Sequence, residues 1–111
     1  MSILKNIDHS TVLPLTTLVP YQPGQIISRT LVQNKAVSIT LFAFEAGEEI
    51  STHESGGDAL VTALDGTGII TIEGVEYHIK SGESIVMPAG KPHAVRAEER
   101  FQMMLTVVFP Q

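Results

Sequence analysis

The stretch from Gly82 to His93, GESIVMPAGKPH, decides the fold of this chain. It joins a short apolar run to a turn with two prolines and a glycine, and it ends on a histidine. Proline fixes φ for a turn and glycine accepts backbone angles that other residues avoid, so Pro88 and Gly90 predict a tight turn. We therefore expect His93 at the start of a new strand.

On both sides of this stretch, apolar and polar residues alternate with the period of two that is typical of β-strands. The runs are rich in Val, Ile, Thr and Phe, and turn residues separate them. They cover residues 25–32, 36–45, 59–65, 68–73, 75–80, 84–88, 93–98 and 100–109. This pattern predicts an all-β fold, an antiparallel sandwich or barrel. Helical structure is expected in one short turn near residues 3–7 at most.

The predicted organisation is one barrel domain preceded by an arm. A length of 111 residues suits a single domain with a modest core. Residues 1–24 contain the proline-rich segment LPLTTLVPYQPG, which we expect to extend across the barrel or a partner subunit. Residues 25–111 then form the barrel. Within it, Asp65-Gly66 favours the positive φ angles of a tight hairpin between two strands.

Composition excludes several classes of function. Apolar residues make up 43% and charged residues 17%, which is ordinary for a globular protein. The net charge is −5 and the seven basic residues are scattered, so we expect no nucleic-acid surface. The absence of cysteine excludes disulfides and thiolate chemistry. Neither a signal peptide nor a membrane span is visible, and we expect a cytoplasmic protein.

The last run is apolar on one face and mixed on the other, because successive side chains of a strand alternate. The apolar face carries Phe101, Met103, Leu105, Val107 and Phe109, and the mixed face carries Gln102, Met104, Thr106 and Val108. Such a strand borders the barrel interior on one side and a second sheet or a subunit contact on the other. We therefore expect a homodimer.

Two blocks together resemble the two-motif signature of the cupin superfamily, in particular the small single-domain cupins. The second cupin motif is Gly-x5-Pro-x-Gly-x2-His-x3-Asn. It is matched by Gly82, Pro88, Gly90 and His93, and Ala97 stands where asparagine would fall. The resemblance covers about residues 25 to 109. It implies an antiparallel double-stranded β-helix, the jelly-roll or cupin barrel.

The first cupin motif, Gly-x5-His-x-His-x3,4-Glu-x6-Gly, is matched only in part by the block from Gly47 to Gly66. His53 stands at the first histidine position, but Ser55 replaces the second histidine and Ala59 replaces the glutamate. In metal-binding cupins these residues and the histidine of the second motif hold one divalent ion. The resemblance therefore supplies only two of the usual ligands here.

A third metal ligand is needed, because divalent sites normally have at least three protein ligands. The candidates are Asp58 and Glu54. Asp58 faces away from the site that residue 59 faces in a regular strand, so Gly56 and Gly57 would have to re-aim it. Either carboxylate would join His53 and His93 as the third ligand of one Zn, Ni, Fe or Mn ion.

The sequence leaves three functions open. The first is a small-molecule-binding cupin whose pocket is lined by His53, Ser55, Ala59, Val61, Ala63, His93, Met103 or Met104. The second is a metal-dependent dioxygenase or isomerase at the same histidines. The third is an interaction-only protein, which rests on the last strand being apolar on both sides and on the dimers that the resemblance implies. Without a metal, the histidines would bond to each other, to Ser55 or to water, or one of them would move protons in an isomerase-like reaction. His9 and His78 are expected to be exposed and not to bind metal.

Overall fold

The computed structural model describes residues 2–111. Within this range the chain forms one short 3₁₀ helix, Leu15–Leu18, and eight strands. The strands are β1 Ile26–Gln33, β2 Val37–Phe44, β3 Glu49–His53, β4 Asp58–Ile72, β5 Val75–Lys80, β6 Ser84–Met87, β7 His93–Arg96 and β8 Phe101–Val108. This confirms the predicted all-β fold class with an extended N-terminal arm.

All strand pairs are antiparallel, and the long strand β4 belongs to two sheets. Its first half pairs with β8 and β6, which gives a first sheet in the order β1-β2-β8-β4-β6. Its second half pairs with β5 and β7, which gives a second sheet in the order β5-β4-β7-β3. The shared strand curls the two sheets into the jelly-roll barrel.

The hairpin predicted at Asp65-Gly66 is wrong, because β4 continues through both residues. A two-residue type I′ hairpin needs positive φ at both central residues. Here φ is +72° at Gly66, whereas Asp65 keeps a negative φ. The pairing with β8 shifts register between Ala63 and Asp65. The glycine therefore bends the strand from the first sheet into the second instead of reversing the chain.

β3 is the strand that sequence alternation missed. Its residues, EISTH, are polar apart from Ile50, and most of their side chains are exposed. It forms because its backbone pairs with β7 at the edge of the second sheet. This pairing matters for the site, since β3 ends at His53.

The barrel interior is a packed apolar core. Its buried side chains come from both sheets: Phe44, Ala59, Val61, Ala63, Ile70, Ile79, Met87, Val95, Ala97, Phe101, Met103 and Val107. The rings of Phe44 and Phe101 lie 5.9 Å apart between centroids in a tilted contact. A side chain at Gly68 would collide with the ring of Phe101, so glycine leaves the space that this ring fills.

The N-terminal arm covers part of the outer face of the first sheet. Val19 of the arm is fully buried in a second apolar cluster that also contains Met104. Gln102 is only 4% exposed, and its Nε2 donates to the carbonyl oxygens of Thr16 at 2.9 Å and Val19 at 2.6 Å. The second surface beside β8 is thus the chain's own arm.

The helical turn of the arm lies at Leu15–Leu18 and not near residues 3–7. Thr17 bonds back to the carbonyl oxygen of Pro14 through both its amide and its hydroxyl, which closes this turn. Asn6 has a φ of +61°, which is incompatible with a right-handed helical turn at the earlier position.

The rest of that outer face is not covered by the arm. Leu60, Val86 and Val108 are 37%, 48% and 56% exposed there. The homodimer stays a prediction. Among the described residues, no helix is long and apolar enough to cross a membrane.

Candidate functional site

Two histidines meet where β3 ends and β7 begins. His53 and His93 are partners in the antiparallel ladder between these strands. Their Nε2 atoms lie 3.1 Å apart, and the rings meet edge to face with centroids 4.3 Å apart. His93 is 2% exposed, whereas His53 is open to solvent. The structure thus brings together His53 of the first cupin motif and His93 of the second.

Backbone carbonyls fix the tautomer of both rings. Nδ1 of His53 lies 2.8 Å from the carbonyl oxygen of Ser51, and Nδ1 of His93 lies 3.1 Å from that of Lys91. A carbonyl oxygen only accepts hydrogen bonds, so each Nδ1 carries a proton and donates it. In the neutral rings both Nε2 atoms are therefore acceptors, and they lie 3.1 Å apart.

The electrostatic surroundings favour neutral His93. Burial lowers its pKa below the ordinary value, and the charge of nearby His53 lowers it further. The carbonyl of Lys91 and the carboxylate of Glu54 act in the opposite direction but do not prevail. Neutral imidazole is also the form that a metal ligand requires.

The geometry of this pair fits two ligands of a divalent ion. Metal–nitrogen bonds of about 2.0–2.1 Å that meet between a right angle and the tetrahedral angle separate the nitrogens by roughly 3 Å. The observed separation of 3.1 Å lies in this range. However, the part of the chain that the structure describes contains no group of three His, Cys, Asp or Glu donors around one point.

Asp58 does not join the histidines. Side chains alternate from the first residue of β4, so Asp58 and Leu60 are exposed while Ala59 is 1% exposed. Oδ1 of Asp58 instead accepts a hydrogen bond from the amide of Ala89 at 2.9 Å. Gly57 does not turn this carboxylate towards the histidines. Glycine is required there because a side chain would collide with the carbonyl of Val108.

The other residues of the first block have separate tasks. The hydroxyl oxygen of Ser55 accepts from the amide of Gly57 at 3.3 Å, and the carbonyl oxygen of Ser55 accepts from the amide of Gly90 at 2.9 Å. Glu54 is exposed and influences His93 through its charge. Of the two carboxylates considered as third ligands, only Glu54 is electrostatically coupled to the pair.

The predicted pocket residues are not gathered around one cavity. Ala59, Val61, Ala63 and Met103 are at most 2% exposed and pack in the core, whereas Met104 packs on the opposite face against the arm. An open cleft of about 420 Å³ lies between the arm and β1. A ligand of the histidines would therefore bind beside exposed His53, where β3 ends and β7 begins, and not in the barrel interior.

The two histidines outside the pair are exposed, as the sequence predicts. His78 lies on β5 with an exposed side chain, and Nε2 of exposed His9 bonds to the carbonyl oxygen of Leu4 at 2.8 Å. Sequence reasoning missed the carbonyls that orient His53 and His93. Each lies two residues before its histidine, so this local contact leaves no signal in residue type.

Comparisons with known proteins place the chain in a family. The cupin domain family matches residues 40–109, and the chain belongs to this family. A conserved protein of unknown function from Streptococcus pyogenes is 50% identical, with a TM-score of 0.98 over 100% of this chain and 97% of the other. No curated protein matches the chain.

Two further solved structures show how far the likeness extends. A cupin superfamily protein from Desulfitobacterium hafniense is 32% identical, with a TM-score of 0.92 over 98% of this chain and 100% of the other. Salicylate 1,2-dioxygenase from Pseudoaminobacter salicylatoxidans is 18% identical, with a TM-score of 0.70 over 81% of this chain and 26% of the other. At this identity the dioxygenase shares the fold alone.

Proposed function

We propose that this protein is a small-molecule-binding cupin whose site is the His53–His93 pair, where β3 ends and β7 begins. A divalent metal ion held by the two Nε2 atoms would be the point at which the ligand binds. The observation that carries this proposal is the convergence of the two Nε2 atoms at 3.1 Å, each ring being oriented through its Nδ1 by a backbone carbonyl.

The coordination positions that the two histidines leave free support the binding of a small molecule at this site. Four to six positions surround a divalent transition-metal ion, and two imidazoles fill only two of them. Oxygen or nitrogen donors of a small molecule can take the others, and the bound ion would polarise them. Exposed His53 leaves the approach open, while buried His93 anchors the site to the barrel.

The test is a calorimetric titration of chelator-treated protein with Ni²⁺ alone. We expect one ion per chain and loss of binding in His93→Ala. The matched control is His78→Ala, which removes an exposed histidine of β5 outside the pair and should bind Ni²⁺ like the wild type. Binding by His93→Ala at wild-type affinity would contradict the proposal, as would an equal loss in His78→Ala.

A metal-dependent dioxygenase or isomerase is the alternative, and one observation favours it. The charge of Glu54 raises the pKa of His93, so the two groups interact. Glu54 is therefore the carboxylate that could complete a site with two histidines and one carboxylate. A Glu54→Gln variant separates the two functions. A loss of Ni²⁺ affinity as large as that of His93→Ala supports the enzyme, whereas near wild-type affinity supports the binding protein.

A further inference from the structure

We infer that Asp58 is a positioning residue for His93, acting through the turn that precedes this histidine. The inference rests on the proposed function, because it takes the His53–His93 pair to be the binding site. It assigns to Asp58 a different task from that of a metal ligand.

The turn in question covers residues 88–91. The amide of Lys91 donates to the carbonyl oxygen of Pro88 at 3.3 Å, and φ is +73° at Gly90. A β-turn with positive φ at its third residue is of type II, and glycine is favoured there. Its own hydrogen bond uses neither the amide of Ala89 nor that of Gly90.

Both of these free amides have acceptors outside the turn. The amide of Ala89 donates to Oδ1 of Asp58 at 2.9 Å, and that of Gly90 donates to the carbonyl oxygen of Ser55 at 2.9 Å. Asp58 begins β4, and Ser55 belongs to the loop that follows His53. The turn is thus held at two points, one of which lies in the loop that follows the other histidine.

The position of this turn sets the orientation of the His93 ring. Its last residue, Lys91, provides the carbonyl oxygen to which Nδ1 of His93 donates at 3.1 Å. The carbonyl oxygen of the next residue, Pro92, accepts from the amide of Glu73 at 2.9 Å. If the turn is released from Asp58, the Lys91 carbonyl shifts, the ring rotates, and Nε2 no longer aligns with that of His53.

Asparagine at position 58 distinguishes positioning from ligation. The amide of asparagine retains an oxygen that can accept from Ala89, whereas alanine retains none. A metal ligand would lose its anionic oxygen in both variants. Positioning therefore predicts that Asp58→Asn restores what Asp58→Ala loses, and ligation predicts that both variants fail equally.

The experiment is a Ni²⁺ titration of chelator-treated Asp58→Ala, Asp58→Asn and Asp65→Ala protein. Loss of a group that orients a ligand weakens metal binding by about 10- to 100-fold, which we expect for Asp58→Ala. Asp58→Asn should stay within about threefold of the wild type, because its oxygen still accepts. Asp65→Ala is the matched control, since it removes a carboxylate far from the pair, and it should leave the affinity unchanged.

A second variant removes the same hydrogen bond from the donor side. Ala89→Pro has no amide hydrogen, and proline is favoured at the second position of a type II turn. It should lose Ni²⁺ affinity as Asp58→Ala does, which keeps the inference testable if Asp58→Ala fails to fold. Wild-type affinity in either variant would overturn the inference, as would an equal loss in Asp58→Asn and Asp58→Ala.

A metal-free measurement separates this inference from the proposed function. Imidazole ¹⁵N chemical shifts report whether Nδ1 of His93 still carries the proton and still donates. We expect altered His93 signals in Asp58→Ala and wild-type signals in Asp58→Asn. If wild-type protein does not bind Ni²⁺, the proposed function fails while these spectra still test the positioning role; unchanged signals in Asp58→Ala overturn it.

Discussion

The two ends of β8 lie roughly 25 Å apart and mark two differently built ends of the barrel. At the Phe101 end, polar side chains bind one another. The hydroxyl of Tyr21 donates to Oδ2 of Asp65 at 2.5 Å, and the guanidinium of Arg100 lies 5.1 Å from the centre of the Tyr21 ring. Arg100 also donates to both carboxylate oxygens of Glu45, at 2.9 and 3.2 Å. We call this end the closed end.

At the Val108 end, two acceptors face each other instead. The Nε2 atoms of His53 and His93 converge there, and the turn that carries His93 is tied to Asp58, the ladder partner of Val108. We call this end the open end. At the closed end, polar groups form hydrogen bonds with one another and stabilise the fold. At the open end, two acceptors in contact need a cation or a hydrogen-bond donor that the pair itself does not supply.

The largest expected effect lies at the closed end, in Gly66→Ala. Gly66 has a φ of +72°, and a Cβ at this position would collide with the carbonyl oxygen of Arg100. Left-handed backbone costs a non-glycine residue about 1–2 kcal/mol, and overpacking costs about 1–3 kcal/mol more. We expect the free energy of unfolding in urea to fall by about 3 kcal/mol.

Gly82→Ala is the matched control for this prediction. Gly82 also has positive φ, +89°, but a Cβ there would meet no atom within 4 Å. It should cost only the backbone term, about 1 kcal/mol. Equal losses in the two variants would show that contact with Arg100 does not close this end.

Tyr21→Phe should have a smaller effect at the same end. It removes the hydrogen bond to Asp65 while keeping the ring beside Arg100, and one such bond contributes about 1 kcal/mol. Burial, the hydrogen bond to Asp65 and the charge of this carboxylate raise the pKa of Tyr21 well above its ordinary value. The unfolded chain therefore releases this proton first as the pH rises.

The sign of the pH dependence follows from that order of release. The contribution of Tyr21 to stability is complete below the ordinary tyrosine pKa of about 10 and is lost as the pH rises above it. Urea unfolding between pH 8 and 11 should show a decline that is less steep in Tyr21→Phe. Tyr77→Phe on β5 is the control, and a decline equally reduced in both variants would refute the assignment to Tyr21.

The sequence predicted the fold well because the necessary signals are local. Alternation of apolar residues marked most strands, and Pro88 and Gly90 placed His93 at the start of β7. Asp65-Gly66 misled because its sequence is that of a hairpin, while the contact that determines its role is with Arg100, far along the chain. β3 was missed because its pairing with β7, and not its composition, makes it a strand.

The candidate site could be predicted only in its histidines. Two motif positions identified His53 and His93, and strand alternation indicated that Asp58 faces away from the residue-59 side. What Asp58 does instead depends on the amide of Ala89, which lies 31 residues further along the chain. No property of an isolated residue shows such a contact, so the positioning role became visible only in three dimensions.

The smallest expected effect is at the open end, in His53→Ala. Burial and the charge of His53 both lower the pKa of His93, so removing His53 should raise this pKa towards its ordinary value. In the wild type the unfolded chain takes up the His93 proton first as the pH falls below about 6.5, and stability declines from there. This acid decline should be smaller in His53→Ala.

The measurement is an NMR titration of the His93 ring in chelator-treated protein. Glu54→Gln is a control of opposite sign, because the Glu54 carboxylate raises the pKa of His93 and its loss should lower it. Opposite shifts in the two variants would show that His93 senses both neighbours across the open end. An unchanged His93 pKa in His53→Ala would mean that burial alone sets it, and the contrast between the two ends would then lose its electrostatic basis.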